Sequence, residues 1–129
     1  MRKFFTNLKQ LLIVFSFLIT SISCITKQIL LDPLQAGWKN KSVCELLEEN
    51  SKIRVLKCTF PPKIGHEKHF HDTHFGYTLK GSKFRIKNSK GVKVVNVPTG
   101  TKFYNKDITW HEVLNIGDST AVFLIIEPK

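Results

Sequence analysis

The chain has 129 residues, enough for one modest domain, and carries 20 Lys and Arg against 10 Asp and Glu for a formal charge of +10. The surplus is scattered lysine with no arginine cluster and no basic patch interleaved with aromatics, which argues for a solvated cationic surface and against nucleic-acid binding. No G-x-S-x-G elbow and no phosphate-cradling glycine loop occurs, so serine-nucleophile and nucleotide chemistry lack their usual residues.

At the amino terminus Arg2, Lys3 and Lys9 precede an uncharged, mostly apolar run of thirteen residues, 11–23, ending in small and polar ones before Cys24. That order reads as an export signal over residues 1–23; a bilayer-crossing helix needs roughly 20 apolar residues, more than this run supplies. Thr20, Ser21, Ile22 and Ser23 before Cys24 resemble a bacterial lipoprotein cleavage box, with Ser21 where leucine is usual. Three readings stay open: a lipoprotein anchored to the membrane through Cys24, which is favoured, an ordinary periplasmic or secreted protein, and an uncleaved membrane anchor. Without residues 1–23 the chain keeps 17 basic residues against 10 acidic ones, and attraction to anionic lipid headgroups is compatible with that charge.

Residues 24–42 form a lead-in with the turn-prone pairs Asp32-Pro33 and Gly37-Trp38 and room for a short helix over 31–35. From residue 43 to 129 the pattern is β-prone runs separated by turn residues. Strands are expected at 43–48, 52–60, 66–71, 75–79, 82–87, 92–97, 101–104, 110–115 and 121–127. Breaks fall at Pro61-Pro62, Lys80-Gly81, Asn88 to Gly91, Pro98 to Gly100 and Gly117-Asp118. Strands this short and this closely spaced make the chain all-β, a sandwich or barrel. Phe84 and Ile86 alternate with Lys83, Arg85 and Lys87, as in a half-buried strand, whereas 121–126 is apolar on both faces and so more central. The ten phenylalanines are core material first.

Cys44 and Cys58 fall on the first two expected strands. With the turn centred on Ser51 they face each other, and an oxidising compartment would join them; a slip of one residue would leave two buried thiols. Both readings stay open.

All five histidines fall in two short segments: His66, His69, His71 and His74 in GHEKHFHDTH, and His111 in HEVLN. Imidazole is the commonest protein metal ligand, so such crowding points to a divalent metal ion. Residues two apart on a strand share a face, which lets His69 and His71 lean toward one ion while Phe70 points the other way. His74 follows the Asp72-Thr73 turn, where it can face the same pocket, and His111 must arrive from a distant strand.

These segments resemble the two motifs of the cupin family, G-x5-H-x-H-x3,4-E-x6-G and G-x5-P-x-G-x2-H-x3-N. The second aligns without a gap from Gly100 through His111 to Asn115, with Lys106 and Ile108 in place of the proline and glycine. The first aligns through His69, His71 and Gly81, with His74 where glutamate is usual and a loop one residue shorter. A second register pairs His69 and His74 with Glu67, which keeps Glu67 as a reserve ligand. The resemblance covers about residues 43–127 and implies a single jelly-roll barrel, the double-stranded β-helix of small single-domain cupins. It also implies a divalent transition metal, whether iron, zinc, copper, nickel or manganese, held by His69, His71, His74 and His111. A small-molecule ligand would take an open position on the ion. Without a carboxylate the ion's double charge is uncompensated, which favours an anionic ligand. Two functions follow from the resemblance: a metal-dependent enzyme, with dioxygenase-type oxidation ahead of isomerase or hydrolase chemistry, or a non-catalytic binding module at the cell envelope. Dimers are frequent among cupins, so a homodimer is compatible with it.

The neighbouring residues have plainer readings. His66, three before His69, belongs on the opposite strand face, at the surface or behind the ligands. Glu112 points away from the pocket, Trp110 fills the core, Asn115 holds a strand end, and Tyr77 and Tyr104 sit with their hydroxyls at the rim.

Overall fold

The structure, a computed structural model, describes residues 30–106 and 109–129. The export signal, Cys24 and Ile108 lie outside the described residues. Among the described residues there are eleven strands: β1 (Gly37–Trp38), β2 (Lys41–Ser42), β3 (Cys44–Glu49), β4 (Ile53–Phe60), β5 (Gly65–His71), β6 (His74–Lys80), β7 (Ser82–Asn88), β8 (Gly91–Val97), β9 (Lys102–Asn105), β10 (Thr109–Asn115) and β11 (Ala121–Pro128). The nine strands expected from alternation and turn residues correspond to β3 through β11, each within a residue or so at either end.

Apart from the small β1-β2 ribbon, the strands form two antiparallel sheets, one ordered β5-β10-β7-β8 and the other β3-β4-β11-β6-β9. Neighbours in space are mostly distant in sequence, the winding of a double-stranded β-helix. The apolar run in β11 lies at the centre of the larger sheet, between β4 and β6. Between the sheets lies a core of Leu56, Phe60, Phe84, Ala121 and Ile125, flanked by Phe103, Val113 and Phe123. Three of its rings meet edge to face, Phe60, Phe84 and Phe123, with centroids 5.5–5.9 Å apart.

Residues 31–35 form no helix. Gln35 and Ala36 both donate to the Asp32 carbonyl, while the Asp32 carboxylate accepts from the Leu34 amide, so the side chain closes a single turn that goes no further. The lead-in packs on the barrel: Leu31 bridges His69 in parallel, and β1 lies against β5.

Cys44 and Cys58 are opposite each other in register and joined as a disulfide. The register depends on a bulge. The β3-β4 turn sets Glu49 against Arg54, which would carry Cys44 to residue 59; an extra residue at Leu47 shifts the ladder by one and restores the pair.

One end of the barrel is tied shut by Asn115, which is fully buried. Its amide donates to the Phe60 and Ser119 carbonyls, and its oxygen accepts from Ser82 Oγ and the Gly117 amide. The other end carries the β5-β6 and β7-β8 turns and the end of β9. The histidines gather there.

Candidate metal centre

His69 and His71 project inward from β5, and His111 lies directly across from His69 on β10. Their ligand-capable nitrogens fall within 4.8 Å of one another. His69 Nε2 lies 3.1 Å from His71 Nε2 and 3.0 Å from His111 Nε2.

The protons on these rings follow from their other partners. His69 Nδ1–H donates to the Glu67 carbonyl at 2.6 Å. His71 Nδ1–H donates to Glu127 Oε1 at 3.0 Å. When neutral, both rings therefore aim a bare Nε2 lone pair at the same point. Two lone pairs 3.1 Å apart repel, and a shared cation turns that repulsion into attraction. Two ligands of one ion with metal–nitrogen bonds of roughly 2.0–2.1 Å stand about 3 Å apart, the separation found here. The donor set therefore fits a transition metal such as zinc, iron, copper or nickel.

Burial keeps the rings unprotonated. It lowers His71 to about 2 and His69 to about 4, against the usual 6.5, with neighbouring imidazoles adding to the effect on His71. His111 is likewise pushed well below its usual value by burial and then by the charges of the other histidines.

Behind His71 stands a network that the linear pattern did not disclose. Glu127, 3% exposed, accepts from His71 through one oxygen and from Arg54 Nε through the other at 2.6 Å, and Arg54 Nη2 reaches Asp32 Oδ2 at 2.6 Å. Burial pushes Asp32 up, but hydrogen bonds from Arg54 and Leu34, with the guanidinium charge, outweigh it and hold the carboxyl below its ordinary value. A carboxylate behind a ligating histidine fixes its tautomer and raises its basicity. Phe123, Ile125 and Glu127 share one strand face, but 121–126 is apolar on both faces, so alternation alone does not tell which face is inside.

His66 is not at the surface. It is 1% exposed, stacked on His69 with ring centroids 3.7 Å apart. A bulge is the reason: Val113 pairs with His66 and His111 with His69, so two residues of β5, Glu67 and Lys68, oppose Glu112 alone. Residues three apart thereby come to share a face. His66 Nε2–H donates to the Pro33 carbonyl at 3.0 Å, and Nδ1 lies 3.8 Å from Cys44 Sγ. Burial lowers its pKa to about 3.

Glu67 does not reach the centre. It is exposed, and its Oε1 accepts from the Lys39 amide, because the bulge turns it outward. His74 lies beside His71, ring centroids 4.7 Å apart, but outside the three-histidine group. Its Nδ1–H donates to the Asp72 carbonyl and its Nε2 accepts from Asn105 Nδ2 at 3.2 Å, so both nitrogens are engaged. Trp110 is half-buried at the cavity mouth instead of filling the core, with the Lys68 ammonium 4.3 Å above its ring. Glu112 lies on the outer face across from Lys87.

The histidines line a cavity of about 590 Å³. Its deep wall is apolar, built from Phe60, Phe84, Phe103, Phe123, Val113 and Ile125. Tyr104, 56% exposed, stands at its rim.

No protein-family model matches the sequence, and no curated protein matches it. Solved structures do resemble the fold. A cupin domain from Bordetella pertussis superposes with a TM-score of 0.63 at 20% identity, over 67% of this chain and 92% of that one. An RmlC-like cupin family protein with a double-stranded β-helix fold from Methanocaldococcus jannaschii gives 0.55 at 12% identity, over 72% and 87%. The polyketide cyclase RemF from Streptomyces resistomycificus gives 0.55 at 18% identity, over 66% and 63%. The architecture is that of the cupins, an antiparallel double-stranded β-helix, with a histidine triad that could hold a metal. At these identities the likeness speaks for the fold, and the activities of those proteins are their own.

Proposed function

We propose that this is an exported metal-binding protein of the cupin family. It holds one divalent transition metal ion between His69, His71 and His111 and receives a small organic molecule in the cavity beside it. The observation that carries the reading is the meeting of the His69 and His71 lone pairs with the His111 ring, two of the three rings held in their ligating tautomer from behind. His74 would be the fourth ligand only after giving up Asn105. Export rests on the basic, apolar and small-residue order of residues 1–23, with Cys24 as the point of a lipid anchor.

When bound, the ion would supply Lewis acidity or redox chemistry at its open positions, and dioxygenase-type oxidation is the enzyme class that suits such a site. The alternative is a binding module without catalysis. Among the described residues the cavity lining contains no aspartate or glutamate, so proton transfer to or from a bound molecule would fall to its histidines, lysines or Tyr104.

Elemental analysis of protein purified without a histidine tag tests the metal. About one equivalent is expected; less than about a tenth, with no uptake on reconstitution, removes the proposal. Oxygen consumption by the loaded protein across a panel of phenols, thiols and diketones then separates enzyme from binder.

A further inference from the structure

We infer that the cavity selects a small organic anion, a carboxylic acid with an apolar body, and that Lys90, Lys93 and Lys106 do the selecting. The inference rests on the cavity being the ligand site proposed above, but its evidence is a different set of residues.

The charged side chains among the described cavity-lining residues, histidines aside, are those three lysines. They come from three separate places around one opening. Lys90 sits in the β7-β8 turn, its amide held by Asn88 Oδ1 at 2.9 Å, and Asn88 lies across from His111. Lys93 is on the inner face of β8, opposite Ile86. Lys106 follows β9, and its carbonyl accepts from Thr73 in the β5-β6 turn, next to His74. All three are exposed, and all belong to the lining at the histidine end of the barrel.

Among the described residues the nearby acids are committed elsewhere. Glu127 is behind His71 and bonded to Arg54, Glu112 is on the outer face, and Asp72 is exposed and outside the lining. Among the described residues none of the three lysines forms an ion pair. One plain structural role is open to Lys93, since an inward charge on an edge strand discourages pairing with another sheet. That role does not extend to Lys90, in a turn, or Lys106, between strands. Single exposed ion pairs are weak, so the preference belongs to the three together, acting in a cleft whose apolar walls focus their field. Those walls also fix the rest of the ligand. An inorganic anion would leave the rings of Phe60, Phe84, Phe103 and Phe123 facing water, whereas a carboxylate on an apolar body covers them.

Benzoate and its neutral isostere benzamide separate charge from shape. Their binding to the full-length protein is measured by calorimetry, both zinc-loaded and stripped by chelator, at low and high salt. Benzoate is expected to bind at least about tenfold tighter than benzamide in both forms, with the ratio falling as salt rises. Replacing Lys90, Lys93 and Lys106 by Gln should cut the ratio to about threefold or less with zinc content unchanged. Replacing Lys83, Arg85 and Lys87 by Gln on the outer face, the same loss of charge, should leave it alone. Equal affinities, no benzoate binding up to about 10 mM, a ratio untouched by the inner triple variant, or equal displacement by inorganic phosphate each overturn the inference. A protein that takes up no zinc but keeps the lysine-dependent ratio would sink the metal proposal and spare this one.

Discussion

Glu127 accepts the Nδ1 proton of His71 at 3.0 Å while both residues are almost wholly buried, which ties a ring of the histidine triad to a carboxylate 56 residues away in sequence. The carboxylate is itself gripped by Arg54, so the ring is braced against a fixed charge. Glu127→Gln keeps the size and an acceptor oxygen but removes the charge. It should weaken metal binding about tenfold, and Glu127→Ala up to about a hundredfold. The alanine variant also leaves Arg54 with Asp32 as its only partner of the two and should cost about 1–3 kcal/mol of stability. Competition titration against a metal chelator reads the first effect and urea unfolding the second. Affinity unchanged in both variants would mean that the carboxylate does not support the ligand.

The depressed pKa values of the histidines predict how the metal-free protein responds to acid. In the unfolded chain each ring titrates near 6.5, whereas in the fold burial lowers His66 to about 3, His69 to about 4 and His71 to about 2, with His111 also well below normal. Below pH 6.5 the unfolded chain therefore binds protons that the folded one refuses. Stability is greatest above pH 6.5, falls as acid is added, and levels off only below the folded values. His66, His69 and His71 each contribute a loss of about 2 kcal/mol between pH 7 and 5, together a large part of a typical domain's stability, and His111 acts in the same direction. Urea midpoints of chelator-treated protein at pH 7 and pH 5 check this. An unchanged midpoint would mean that the rings titrate freely in the fold.

The strands were legible because their residues alternate and their turns are marked by Gly, Pro, Asn and Asp; β7 shows it best, with Phe84 and Ile86 inside and three cations outside. That His69, His71 and His111 come together was legible in part from period two on β5 and in part from the resemblance of residues 100–115 to the second cupin motif. The bulges were not legible. One at Glu67-Lys68 swings His66 onto the ligand face, and one at Leu47 brings the cysteines into register; an extra residue in a ladder leaves no mark on composition or periodicity. Glu127 was hidden differently. Its strand is apolar on both faces, so the usual contrast that tells inside from outside was lost at the position where a buried acid mattered.

The Cys44–Cys58 bond closes a loop with a sequence separation of 14. A loop of that size restricts the unfolded chain enough to contribute about 3 kcal/mol. Replacing both cysteines by alanine should lower stability by that order, and a reductant should do the same to the natural protein while leaving the variant unaffected. Urea unfolding with and without reductant is the measurement. His66, although it touches Cys44 Sγ, is held by the Pro33 carbonyl and stacked on His69, so metal content should survive the double substitution.

The number of ligands is decided at His74. Its Nδ1–H is committed to the Asp72 carbonyl, and its lone pair receives the Asn105 amide, an arrangement that satisfies a neutral ring without any ion. Joining the metal would exchange that hydrogen bond for a coordinate bond and leave the Asn105 amide to find water, which its place at the open end of the barrel permits. With three ligands, His74→Ala should reduce metal affinity less than about tenfold, as loss of a neighbour does, while His69→Ala, His71→Ala or His111→Ala each abolishes stoichiometric binding. With four, His74→Ala should fall in line with the other three, and Asn105→Ala, by freeing the lone pair, should tighten binding. Chelator competition on the five variants distinguishes the two cases, and the convergence of the His69, His71 and His111 nitrogens on one point, set against the separate Asn105 partner of His74, favours three.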